Sequence, residues 1–172
     1  MLYVYTGDGK GKTSAALGLV MRAYGAGLSC AAIFFDKDSA YCNEISTLKE
    51  LGISSHIFGA NRIGEGSFRF DNVEKDFEEA AKGIGLAREI LAAGAPDVLV
   101  LDEILNVVRV GLAPLSEIIN LVDSWPREKY LVLTGRGLPD EIKTRADLVS
   151  EVQQIKHPFA TEGAIAQKGI DY

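Results

Sequence analysis

The chain has 172 residues, 47% of them hydrophobic and 24% charged, which suits a folded globular protein and excludes a disordered one. A formal net charge of −6 gives no electrostatic footprint for nucleic acid. No stretch approaches the roughly 20 apolar residues that cross a bilayer, and the start MLYVYTG has no basic segment leading into an apolar one. A cytoplasmic protein without a membrane or nucleic-acid partner is therefore expected.

Leu2–Thr6 reads as the first strand, and TGDGKGKTS at Thr6–Ser14 then leads into a helix. Cys30–Phe35 is the second strand and Ser54–Phe58 the third. Asp36–Asn43 and Gly59–Asn72 are poorly patterned, and the second is long for a connection in a compact domain. Val73, Phe77, Ala80, Ile84, Ala87 and Leu91 recur at helical spacing, and Gly94-Ala95-Pro96 stops that helix. Asp97–Leu101 is a continuous apolar strand running into Asp102-Glu103. Pro114 opens a helix whose buried side is Leu115, Ile118, Ile119 and Val122. Tyr130–Thr134 is a further strand, ending in Gly135-Arg136-Gly137, and Leu148–Ile155 is a loosely alternating last one.

Short apolar strands alternating with helices predict an α/β fold: one domain over 1–172, a P-loop NTPase of RecA-like type, with a mainly parallel sheet covered by helices on both faces. The phosphate loop, Asp102-Glu103 and Thr134–Gly137 all fall at C-terminal strand ends, where open α/β sheets bind ligands. The three segments are expected to converge on one rim.

The loop carries the clearest chemistry. Gly7, Gly9 and Gly11 let the backbone curl so that several N–H groups face one anion, and Asp8, Lys10 and Ser14 complete the loop. The N-terminus of the following helix adds its positive dipole end. Lys12 is expected to neutralise terminal phosphate charge and the Thr13 hydroxyl to ligate Mg2+ or Mn2+. Of the carboxylates after VLVL, one is expected to hold the metal or its water, unless it is an ordinary helix cap. Arg136 either contacts phosphate or makes a surface ion pair, and Arg22 either reaches the nucleotide or solvates an outer face. Phe68 and Phe70 flank Arg69 in the unpatterned segment and serve a flat ligand or anchor the loop. Cys30 and Cys42 lack zinc-site spacing, and Cys30 is expected to be a small buried side chain. His56 and His157 are isolated, with no catalytic triad in view.

Taken together, TGDGKGKTSAALGL at Thr6–Leu19, Arg22, VLDE at Val100–Glu103, TGRG at Thr134–Gly137, ADLVSE at Ala146–Glu151, KHPF at Lys156–Phe159 and AQKGIDY at Ala166–Tyr172 form a specific combination. It resembles the P-loop corrinoid adenosyltransferases over nearly the whole chain. The resemblance implies transfer of adenosine from ATP to the cobalt of a reduced corrinoid, with tripolyphosphate released. It also implies Gly7–Thr13 at the triphosphate, Thr13 and Glu103 at the metal, and Arg22 and Arg136 at the phosphates or nucleotide. Phe68 and Phe70 match two family aromatics whose implied role is to displace the lower axial ligand of the corrinoid. A homodimer and a flavoprotein electron donor are implied as well. After the second strand the family loop commonly reads FIKG and then Gly-Glu; here it is FFDKD and Asn43-Glu44, retaining Lys37 and Glu44. A P-loop kinase or ATPase of other specificity is the alternative reading, and a non-catalytic corrinoid carrier a third.

Overall fold

The computed structural model describes residues 1–38, 42–60, 63, 64, 67–69, 71–157, 163 and 167–170. Six strands form one parallel sheet: β1 (Leu2–Thr6), β2 (Cys30–Phe35), β3 (Ser54–Phe58), β6 (Val98–Asp102), β7 (Tyr130–Thr134) and β8 (Leu148–Glu151), in the order β3-β2-β6-β7-β1-β8. The two-residue strands β4 (Ile63–Gly64) and β5 (Ser67–Phe68) pair antiparallel within the segment the sequence left unpatterned. β7 lies between the phosphate-loop strand and the carboxylate-bearing β6, as in RecA-like P-loop proteins, so the expected fold class holds.

Strand alternation divides the core into two layers. Ile33, Leu99, Leu101, Leu131 and Leu133 face α3 (Glu74–Ala92), α4 (Ile104–Arg109), α5 (Leu115–Ser124) and α6 (Asp140–Lys143). Ala32, Phe34, Val98, Val100 and Val132 face α1 (Lys12–Gly25) and α2 (Glu44–Glu50). Because neighbouring residues face opposite covered layers, these strands read as unbroken apolar runs. Among the described residues no helix is long and apolar enough to cross a membrane.

Several expectations shift at the edges. The last strand stops at Glu151 rather than Ile155, because its partner β1 ends at Thr6, opposite Glu151. Val73 and Phe77 are exposed although they continue the apolar stripe; Ala80, Gly83, Ile84 and Ala87 are buried, and Leu91 is half-buried against the same core. On α5 the fully covered positions are Ile118 and Leu121; Leu115, Ile119 and Val122 are half-buried. Cys30, first in its strand, is also half-buried, and Cys42 is the buried thiol.

Gly83 sets how closely α3 approaches the sheet. A Cβ there would lie 2.4 Å from Phe35 Cε1 and 3.0 Å from Phe58 Cδ2. In an open helix, Gly→Ala gains about 1 kcal/mol of propensity. Here Gly83→Ala is expected to destabilise by about 1–3 kcal/mol through overpacking. Urea unfolding checks the sign: a variant as stable as the parent would show that the interface yields.

Candidate functional site

The loop after β1 turns tightly because Gly7 (φ 101°) and Gly11 (φ 120°) adopt left-handed conformations that side chains disfavour. A second reason for glycine emerges from the packing. A Cβ at Gly7 would lie 2.4 Å from Val152 O, and one at Gly9 would lie 2.8 Å from the backbone of Gln153. The Gly9 N–H donates to Val152 O at 2.8 Å, so the loop rests directly on the chain leaving β8. No local signal in the sequence announced this long-range contact.

Lys12 opens α1 and is 6% exposed, with its ammonium donating to Gly9 O at 2.9 Å. Burial pulls its pKa down; Glu103 opposes that, Arg136 adds to it, and Asp8 and Asp102 also oppose. Asp8, Lys10 and Ser14 lie on the exposed side of the loop. Lys10 donates to Ile170 O at 2.9 Å, which ties the loop to the C-terminal turn. Arg136 Nη2 donates to Asp8 O at 3.4 Å and its Nε lies 3.6 Å from Asp8 Oδ1, which brings the TGRG arginine across the loop.

Beneath the loop, Asp102 is fully buried. Its Oδ1 accepts from the Thr134 hydroxyl at 2.6 Å and its Oδ2 from the Thr13 hydroxyl at 3.2 Å. The Lys37 ammonium lies 2.7 Å from that same Oδ2. Burial opposes the charge on Lys37, but Asp102 and then Glu44 outweigh it and hold the ammonium above the ordinary lysine range. The three rim segments thus meet through one carboxylate, as strand-end convergence predicts.

Glu103 follows with φ 60°, a left-handed conformation uncommon for a non-glycine residue, and its N–H donates to Thr134 Oγ1 at 2.8 Å. Burial pushes the Glu103 carboxyl up in pKa and neighbouring Asp102 adds to that, while Lys37, Lys12 and Arg136 oppose.

Arg22 is not brought to this rim. It is exposed in the last turn of α1, about 15 Å along the helix axis from Lys12 at 1.5 Å per residue. Phe68 lies on β5, where its backbone pairs with Ile63. Phe70 lies outside the described residues. Between them, Arg69 grips Asp76 at the start of α3 through two contacts of 2.6 and 3.0 Å, and the same carboxylate caps the Val73 N–H at 2.8 Å.

Sequence reasoning missed the parts played by Asp102, Thr134 and Lys37. For Asp102 a signal existed: period-two alternation places it on the face of Val98 and Val100, under α1, where Thr13 begins the helix. For Lys37 there was none beyond the family pattern, because its segment has no periodicity.

Comparison with known proteins identifies the family. The model of the family described as ATP:corrinoid adenosyltransferase BtuR/CobO/CobP matches residues 1–172. The chain belongs to this family. Among the adenosyltransferases, it is 32% identical over 174 residues to the corrinoid adenosyltransferase of Escherichia coli K12, covering all of this chain and 85% of that one. It is 33% identical over 172 residues to corrinoid adenosyltransferase CobA of Salmonella typhimurium, with the same coverage. In structure it is similar to the flagellar accessory protein FlaH of Methanocaldococcus jannaschii, at TM-score 0.55 and 11% identity over 87% of this chain and 69% of that one. That likeness concerns the fold alone.

Proposed function

We propose that this adenosyltransferase-family chain moves the 5′-deoxyadenosyl group of ATP to the cobalt of a reduced corrinoid, with tripolyphosphate leaving. The observation that carries the reading is the meeting of Lys12, Thr13, Asp102 and Glu103 on one rim, in a chain matched to the family from end to end. Cob(I) is a strong nucleophile, so its electron pair forms the cobalt–carbon bond at C5′. The C5′–O bond breaks, and its electrons leave on the triphosphate. The protein's task is then to position the triphosphate and offset the charge appearing on it. Lys12 and the N–H groups opening α1 do this from beneath, and Arg136 from across the loop.

Thr13 and Glu103 offer hard oxygen donors that fit Mg2+ or Mn2+. Among the described residues no cluster of three or more His, Cys, Asp or Glu side chains could hold a metal alone. This donor set suits a cation that shares phosphate oxygens, with Thr13 and Glu103 as its protein ligands. Bound there, the metal supplies positive charge to the triphosphate. A homodimer, a cytoplasmic location and a flavoprotein reductant complete the reading, and Phe68 and Phe70 serve the corrinoid's lower face. Arg22, on the outer end of α1, is assigned to the nucleotide by family pattern alone.

Two assays test this. The first follows absorbance while the protein, magnesium-ATP and chemically reduced cobalamin are mixed: formation of a light-sensitive cobalt–carbon bond is expected, and an unchanged spectrum overturns the reading. In the second, Phe68→Ala is expected to slow the reaction from cob(II) more than that from pre-reduced cob(I), by about tenfold or roughly 1.4 kcal/mol. Equal losses in the two assays would assign the aromatic to packing.

A further inference from the structure

The Lys37 ammonium is placed, not draped. Asp36 turns the chain out of β2 in a left-handed conformation (φ 52°), with its carboxylate held by Asn106 Nδ2 at 3.0 Å. Gly59 packs on the Lys37 backbone so closely that a Cβ would lie 2.4 Å from Lys37 O. The ammonium then lies 2.7 Å from Asp102 Oδ2, 3.4 Å from Glu44 Oε1 and 5.1 Å from the centre of the Phe34 ring. Two carboxylates and an aromatic face thus fix a cation on the oxygen to which Thr13 also donates. Strain at Asp36 persists because the surroundings over-determine it, as is common at functional sites.

This arrangement has a chemical consequence. A carboxylate has about four lone-pair positions, and Asp102 already receives two hydroxyls and an ammonium. A free dication approaching it meets a fixed positive charge and a neutralised partner. Among the described residues named at this rim, what remains is the Thr13 hydroxyl and Glu103. That is weak provision for Mg2+, which relies on phosphate oxygens where carboxylates are few.

We propose that Lys37 is the resident cation of this pocket, so that the protein excludes free divalent metal and accepts it only together with a triphosphate. Lys37 is then a positioning residue that makes metal loading depend on nucleotide. The inference rests on the phosphate-site part of the function proposed above and is independent of the corrinoid.

The test reads Mn2+ binding to the nucleotide-free protein by electron paramagnetic resonance. The parent is expected to bind weakly, Lys37→Arg to match it, and Lys37→Met to bind at least about tenfold more tightly through the freed Asp102. Mn2+ should also raise the melting temperature of Lys37→Met while leaving the parent's unchanged. Tight Mn2+ binding by the parent without nucleotide overturns the proposal, as does a folded Lys37→Met that binds no better than the parent. If Lys37→Met folds only with Mn2+, that supports the proposal; if it does not fold at all, Lys37→Gln decides by the same comparison. Cobalt–carbon bond formation by the parent, measured alongside, reports on the function separately, since it can fail while the Mn2+ result stands.

Discussion

Lys12→Ala is expected to lower kcat/KM for adenosylation by about 100- to 1,000-fold, the range seen when one preorganised charge-stabilising group is removed. Lys12 is positioned at the start of α1, buried, and turned back onto Gly9 O, so its ammonium is held against the loop. Triphosphate leaves with more negative charge on its departing oxygen than it has when bound, and the pull of Lys12 grows along that coordinate. The loss should therefore fall on kcat as well as on ATP affinity. The fold should survive, because truncating the side chain leaves α1 and its Ala16, Val20 and Ala23 contacts in place. Steady-state kinetics with saturating ATP separate the two effects. An unchanged kcat at saturation would show that Lys12 contributes only ground-state binding.

Asp102→Asn is expected to cost about 3 kcal/mol of stability, the lower end of the range for removing one partner of a buried ion pair. The lower end applies because the Lys37 side chain keeps 21% of its surface exposed while Asp102 keeps none. The amide cannot serve the Thr13 hydroxyl, the Thr134 hydroxyl and the ammonium as the carboxylate does. Adding Lys37→Met to Asp102→Asn should recover more than half of the loss, since the stranded charge is then gone. Denaturant unfolding of the four proteins in a double-mutant cycle measures this directly. If the single variant matches the parent, the pair is not a stabilising element of the site.

Much of this was legible in the residues. The glycine spacing of Thr6–Ser14 predicts a loop between a strand and a helix, and the segment does lie between β1 and α1. The strand runs were readable because a sheet covered on both faces needs no polar residues on either. The carboxylate pair was readable too, but the division of labour within it was not. Glu103 stands out in sequence by family pattern, whereas Asp102 takes its role from strand parity and from Thr134, 32 residues away. Lys37 was less legible still, since its place depends on Asp36, Asn106 and Gly59, three separate segments meeting at β2's end. Local pattern reveals what local physics enforces. Contacts such as Gly9 with Val152 are set by the topology of the sheet.

The identity of the phosphorus product tests the central claim most directly. Phosphorus NMR of a reaction containing magnesium-ATP and cob(I)alamin should show one equivalent of tripolyphosphate for each cobalt–carbon bond formed. Formation of ADP and phosphate in step with corrinoid turnover would contradict it, because the loop would then be presenting a terminal phosphate for transfer instead of holding the whole triphosphate as a leaving group.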